Sequence, residues 1–92
     1  MIKRVFTAEQ AKKVGDKIGI DWKDFDVEQF RMGMDVELEH GKVDPRTNVT
    51  NDDPTMTGKI AWAHLKEFLG YYTRLDKLEA EADEFRTAQR TG

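Results

Sequence analysis

Apolar residues in the first forty positions recur at intervals of three and four, the spacing of helices with one buried face. In "VFTAEQAKKVGDKIG" Thr7 stands three residues before Gln10, with Phe6 and Ala11 on either side as a hydrophobic staple, which predicts a helix start at Thr7. Ala11, Val14, Gly15 and Ile18 form its buried face, and Gly19 supplies a left-handed stop. In the short "IDWKDFD" turn, Trp22 and Phe25 read as core plugs, because a small domain needs large anchors. Asp26, three residues before Gln29, predicts the cap of a second helix through "VEQFRMGMDVELEHG". Its stripe is Val27, Phe30, Met34 and Leu38; Gly33 leaves room for another helix to approach, and Gly41 marks the stop.

The periodicity then lapses. "KVDPRTNVTNDDP" concentrates Asp, Asn and Thr, whose side chains bond their own backbone in turns, so it reads as a polar connection. Asp53 followed by Pro54 is an N-cap with proline at the first helical position, so a third helix opens about there or at Thr57. From Ala61 onward, positions 61, 64, 68, 71, 75, 78, 82 and 85 read Ala, His, Phe, Tyr, Leu, Leu, Ala and Phe, a heptad seam. One long helix or two would carry it, with a break at Leu69-Gly70 the favoured form. The expected fold is all-α: a compact bundle of three or four helices with a long polar loop between the second and third. Residues 1–92 make one domain, with a structured core over 6–86 and a frayed tail over 87–92.

Composition narrows the class. A chain of 92 residues has room for one modest core, and 38% apolar with 36% charged residues suits a charged helical domain. No stretch approaches a membrane span, and the N-terminus lacks the apolar segment of a signal peptide, so a cytoplasmic location is expected. The absence of cysteine removes disulfides and thiolate chemistry. The net charge of −3 is uneven: residues 24–53 carry nine acidic and three basic side chains. That acidic centre would repel phosphate, so nucleic acid is not an expected partner.

Two candidate sites emerge. Glu37 and His40 are spaced i,i+3, and His64 and Glu67 repeat the relation in reverse on the third helix. Imidazole and carboxylate together suit a divalent transition metal, and helical di-metal proteins use such pairs. For two antiparallel helices, His64 lies about ten residues beyond the level of His40, ~15 Å at the helical rise, so the loop must double back to unite them. Otherwise His40 caps a helix end and His64 is a half-buried, hydrogen-bonded side chain. The loop carboxylates Asp44, Asp52 and Asp53 lack the EF-hand pattern and read as caps and turns. No apolar pocket is apparent that would tune a carboxylate for acid–base work, so the sequence points away from an enzyme and requires no cofactor.

The second candidate is the seam itself. Phe68, Tyr71, Leu75, Leu78 and Phe85 make a stripe that a small domain has difficulty covering alone. It is covered either by another helix of the same chain or by a partner protein, a second copy forming a homodimer among the possibilities.

In "FRMGMDVELEHG", "DPRTNVTNDD", "TGKIAWAHLKEF" and "YYTRLDKLEAEA" the chain resembles a family of small bacterial and phage proteins that share a domain of unknown function. The resemblance covers about residues 6–84. Members of that family commonly have Pro-Asp where this chain has Leu69-Gly70, which implies a helix break there in the relatives. The resemblance implies a fold and brings no activity. Sequence alone therefore leads to a helical protein-interaction or self-association module, with metal binding as the alternative.

Overall fold

A computed structural model describes residues 4–91 of the chain, and side chains over residues 4–86. Four α-helices follow in order: α1 (Ala8–Ile18), α2 (Val27–Glu37), α3 (Pro54–Glu67) and α4 (Tyr71–Thr91). A 3-10 turn, Leu38–His40, extends α2, and there is no strand among the described residues. The expected all-α architecture is therefore the observed one.

Local chemistry sets the helix ends. Thr7 Oγ1 accepts from the Gln10 amide at 3.1 Å while the Gln10 side chain accepts from the Thr7 amide at 2.9 Å, closing the predicted capping box. Gly19 ends α1 at φ 94°, a left-handed conformation glycine adopts without a Cβ penalty. Asp26 caps α2 through the Gln29 amide at 3.0 Å, and Asp53 caps α3 through the Met56 amide at 3.2 Å with Pro54 at the first position.

Helices α1, α2 and α3 form a body around Ala11, Phe30, Met34, Ala61 and Leu65, each at most 1% exposed. Val27 and Leu38, the ends of the predicted α2 stripe, are only half-buried. Trp22 and Phe25 plug the edges of this core as expected: Trp22 meets Phe30 edge-on at 5.7 Å and Phe25 meets Trp62 edge-on at 6.1 Å. At Gly33 a Cβ would stand 2.5 Å from the Tyr72 ring and 3.0 Å from Ala61 Cβ, so glycine is what lets α3 and α4 press onto α2.

The connection over residues 41–53 folds back on itself. The Val49 and Thr50 amides donate to the His40 carbonyl at 2.6 and 3.3 Å, and Asp52 Oδ1 accepts from the Lys42 amide at 2.8 Å. Asn51 and Asp52 take left-handed φ values of 52° and 63°, which short polar side chains tolerate best after glycine. Gly41 does not stop α2 by a left-handed turn, as expected from sequence; its φ is −100°, and it is needed because a Cβ would sit 1.9 Å from Asp52 Oδ1. Asp44 bonds Arg46 at its backbone and guanidinium, and that contact draws the Asp44 carboxyl below its usual range. The loop carboxylates are thus engaged in turns and caps.

The chain breaks between α3 and α4. Phe68 is extended, and the Tyr71 amide closes a turn on the Phe68 carbonyl at 3.0 Å. This corrects the single seam read through residues 61–85: Ala61 lies inside the core, Phe68 lies outside any helix, and only the stretch from Tyr71 onward is one helix face. A helix of 21 residues is about 31 Å long, and α4 meets the body mainly through α2 near its own first turn. The molecule is accordingly elongated, with extents of 50 × 31 × 22 Å. The backbone is helical to Thr91, and the side chains of the tail expected to fray lie outside the described residues.

Candidate functional site

The first site is a polar latch where α2, α3 and α4 meet. The end of α2 brings Glu37, the 3-10 turn brings His40, α3 brings His64, and the first turn of α4 brings Tyr71 and Tyr72. Glu37 is buried, with Oε1 3.9 Å from His40 Nε2 and Oε2 3.5 Å from His64 Nδ1. Both histidines therefore reach one carboxylate, which antiparallel spacing alone placed far apart. The reason is that α3 crosses α2 in the same sense and not antiparallel to it, with Gly58 against Phe30, Ala61 against Gly33 and His64 against Glu37.

Tyr72 closes the cluster. Its hydroxyl donates to Glu37 Oε2 at 2.9 Å and lies 3.2 Å from His64 Nδ1. The phenol has one hydrogen, so with that hydrogen on Glu37 the imidazole contact is satisfied when His64 Nδ1 carries its own proton and donates. His64 Nε2 then remains the outward acceptor. Burial raises the Tyr72 pKa well above the usual phenol range, and the adjacent Glu37 charge adds to the rise. Tyr71 stacks on the His64 ring at 4.8 Å and 11°. The latch joins three helices through a fully buried tyrosine, and the half-buried His64 is hydrogen-bonded as sequence allowed.

Of the four expected metal ligands, the fold unites Glu37, His40 and His64 and leaves Glu67 exposed on the last turn of α3. Nδ1 of His64 is turned inward to Tyr72 and Glu37, so it is occupied by hydrogen bonds. Among the described residues, no group of three or more His, Asp or Glu side chains is arranged to hold a metal ion.

Sequence reading missed a second buried charge cluster. Asp35 accepts from the Val5 and Phe6 amides at 3.1 and 2.9 Å and from Arg31 at 2.6 Å, while Arg31 also bonds Glu28 at 2.6 Å. The hydrogen bond from Arg31 lowers the Glu28 pKa, and the same bond, aided by Asp35, raises that of Arg31. This cluster ties the segment entering α1 to α2. The one available signal was the i,i+4 spacing of Arg31 and Asp35 in a helix face otherwise apolar.

The second site is the outward face of α4. Phe68, Leu78 and Phe85 are 46, 59 and 63% exposed, and Tyr71 and Leu75 are half-buried beside them. Phe68, Tyr71, Arg74, Leu75 and Leu78 line a shallow groove of about 320 Å³, with the Arg74 guanidinium 5.0 Å above the Phe68 ring. Of the two covers the sequence allows, another helix of the same chain does not bury Leu78 and Phe85 among the described residues: the break at Phe68 to Gly70 sends α4 past the body. No helix among the described residues is long and apolar enough to cross a membrane.

No curated protein and no solved structure matches the chain. Residues 11–81, most of the sequence, match the family described as "Protein of unknown function (DUF5661)", and the chain belongs to that family.

Proposed function

We propose that the protein is an interaction module whose working surface is the outward face of α4. The observation that supports it most is the run of exposed apolar residues, Phe68, Leu78 and Phe85, continuous with the groove at Tyr71 and Leu75. Single exposed apolar residues are ordinary, but a contiguous rimmed stripe marks a surface that another chain covers. The net negative charge of the middle segment favours a protein partner over a nucleic acid. The latch supports the same reading: it fixes the first turn of α4 on the body and so holds the rest of the helix out as a presented face.

Leu78→Asp tests whether this face stands apart from the fold. The variant should keep its helical circular dichroism and unfold cooperatively at the wild-type denaturant midpoint, because Leu78 packs on nothing that the fold requires. Loss of cooperative unfolding would show that the stripe belongs to the core and would end the interaction reading.

A further inference from the structure

Granting that α4 presents an interaction face, we propose that its partner is a second copy of this chain, packed antiparallel so that Leu75 of each copy faces Leu78 of the other. The seam has two alternating sets of positions, Tyr71, Leu78 and Phe85 in one and Leu75 and Ala82 in the other. Antiparallel helices pair one set with the other. With Leu75 against Leu78, Tyr71 meets Ala82, and Phe85 arrives at the end of the groove where Phe68 lies. The widest and narrowest seam positions, Tyr71 and Ala82, then face each other, which is how a seam fills without voids.

The flanking charges select the same register. Arg74 and Glu81 are both exposed and lie on one flank of the seam, seven residues apart. In this register Arg74 of one copy comes beside Glu81 of the other, and twofold symmetry makes the pair twice. A shift of one heptad, setting Leu75 against Phe85, would bring Glu81 beside Glu81 and Glu79 beside Glu79. Parallel packing would pair Arg74 with Glu79 and Glu81 with Arg86, but it stacks Tyr71 on Tyr71 and Ala82 on Ala82, alternately overfilling and emptying the seam. It also draws on Arg86, which already pairs with Asp83 in the same helix.

Arg74→Glu, Glu81→Arg and the double exchange Arg74→Glu/Glu81→Arg discriminate these arrangements when self-association is measured by sedimentation over a concentration series. Each single variant should weaken dimerisation roughly tenfold, since reversal turns two attractive pairs into repulsive ones, and the effect should shrink at high salt. The double exchange should restore the wild-type constant to within about threefold, because the antiparallel pair is re-formed with its signs swapped. In a parallel dimer the double exchange would be worse than either single variant, because like charges would then meet at positions 74 and 79 and again at positions 81 and 86, and that result would overturn the proposal. Single variants that dimerise like wild type would overturn the register, and a wild type monomeric at all concentrations would overturn the second copy as partner. These outcomes are separate from the stability of Leu78→Asp, which reads whether the face belongs to the fold. Ala82→Cys adds a cysteine to a chain that has none: it should form no disulfide dimer, because the two copies of position 82 lie ~16 Å apart along the antiparallel axis, whereas a parallel pair would cross-link.

Discussion

The body formed by α1, α2 and α3 and the free length of α4 use the same apolar spacing to opposite ends. In the body, Phe30, Met34, Ala61 and Leu65 are sealed from water; on α4, Leu78 and Phe85 repeat at the same helical interval and remain more than half exposed. Periodicity reports that a helix has an apolar face, and it does not report what covers that face. The distinguishing signal is glycine at contact points. At Gly15 and Gly58 a Cβ would come within 2.3 and 2.6 Å of Trp22 and Val14, and at Gly33 within 3.0 Å of Ala61 Cβ, each a place where the body closes on itself. The α4 segment has no glycine over the whole seam from Tyr71 to Phe85. Its seam carries Tyr71, Leu75, Leu78 and Phe85 with no glycine gap at which another helix of the chain closes in.

The comparison breaks most readily at Asp35, because its loss opens the body alone. Asp35→Ala removes the acceptor of two backbone amides and leaves the buried Arg31 short of one partner. Breaking a buried pair from one side costs about 3–5 kcal/mol, so a marginal 92-residue domain should lose most of its stability. Urea denaturation should show a large drop in midpoint. A change under ~1 kcal/mol would mean that Arg31 finds enough compensation in Glu28.

Between the two regions stands the latch, and Tyr72→Phe sharpens where one ends. Removing the hydroxyl withdraws a donor from the buried Glu37 carboxylate and should cost about 1–2 kcal/mol near neutral pH. It also changes the alkaline limb of stability. The folded Tyr72 holds its proton above the ordinary phenol pKa of 10.0, so its contribution is complete below pH 10 and declines as pH rises beyond it, when the unfolded phenol ionises and the folded one does not. Stability of the wild type should therefore fall more steeply above pH 10 than that of Tyr72→Phe, by up to about 1.4 kcal/mol per pH unit. Parallel alkaline limbs would place Tyr72 in contact with solvent.

What sequence made legible divides along the same line as the structure. Helix starts at Thr7, Asp26 and Asp53 depend on two or three neighbouring residues, so they could be read directly and stand where expected. Core plugs such as Trp22 and Phe25 follow from size. The convergence of His40 and His64 on Glu37 was not legible, because it depends on how a loop of about a dozen residues returns, and that return is fixed by left-handed Asn51 and Asp52 and by bonds to the His40 carbonyl. Burial of Asp35 likewise depends on the segment before α1 crossing α2, a contact nearly thirty residues apart in sequence. A break at Leu69-Gly70 is the form the sequence favours, yet its consequence, the exposure of Leu78 and Phe85, follows from tertiary direction that no local pattern records.

The smallest expected effect is the one that separates the two regions most cleanly. Leu65→Ala and Leu78→Ala delete the same atoms from the same residue type thirteen positions apart. Leu65 is 1% exposed between helices, so its truncation leaves a cavity and should cost about 2–5 kcal/mol. Leu78 is 59% exposed, and its truncation should shift stability by no more than about 0.5 kcal/mol when measured at protein concentrations low enough to suppress association. At high concentration the same Leu78 variant should become measurably less stable than wild type, because a partner that binds only the folded chain stabilises it by mass action. A concentration-independent deficit of a full kilocalorie or more at Leu78 would instead place α4 within the body's own cooperative unit, and the contrast between a sealed body and a presented helix would dissolve.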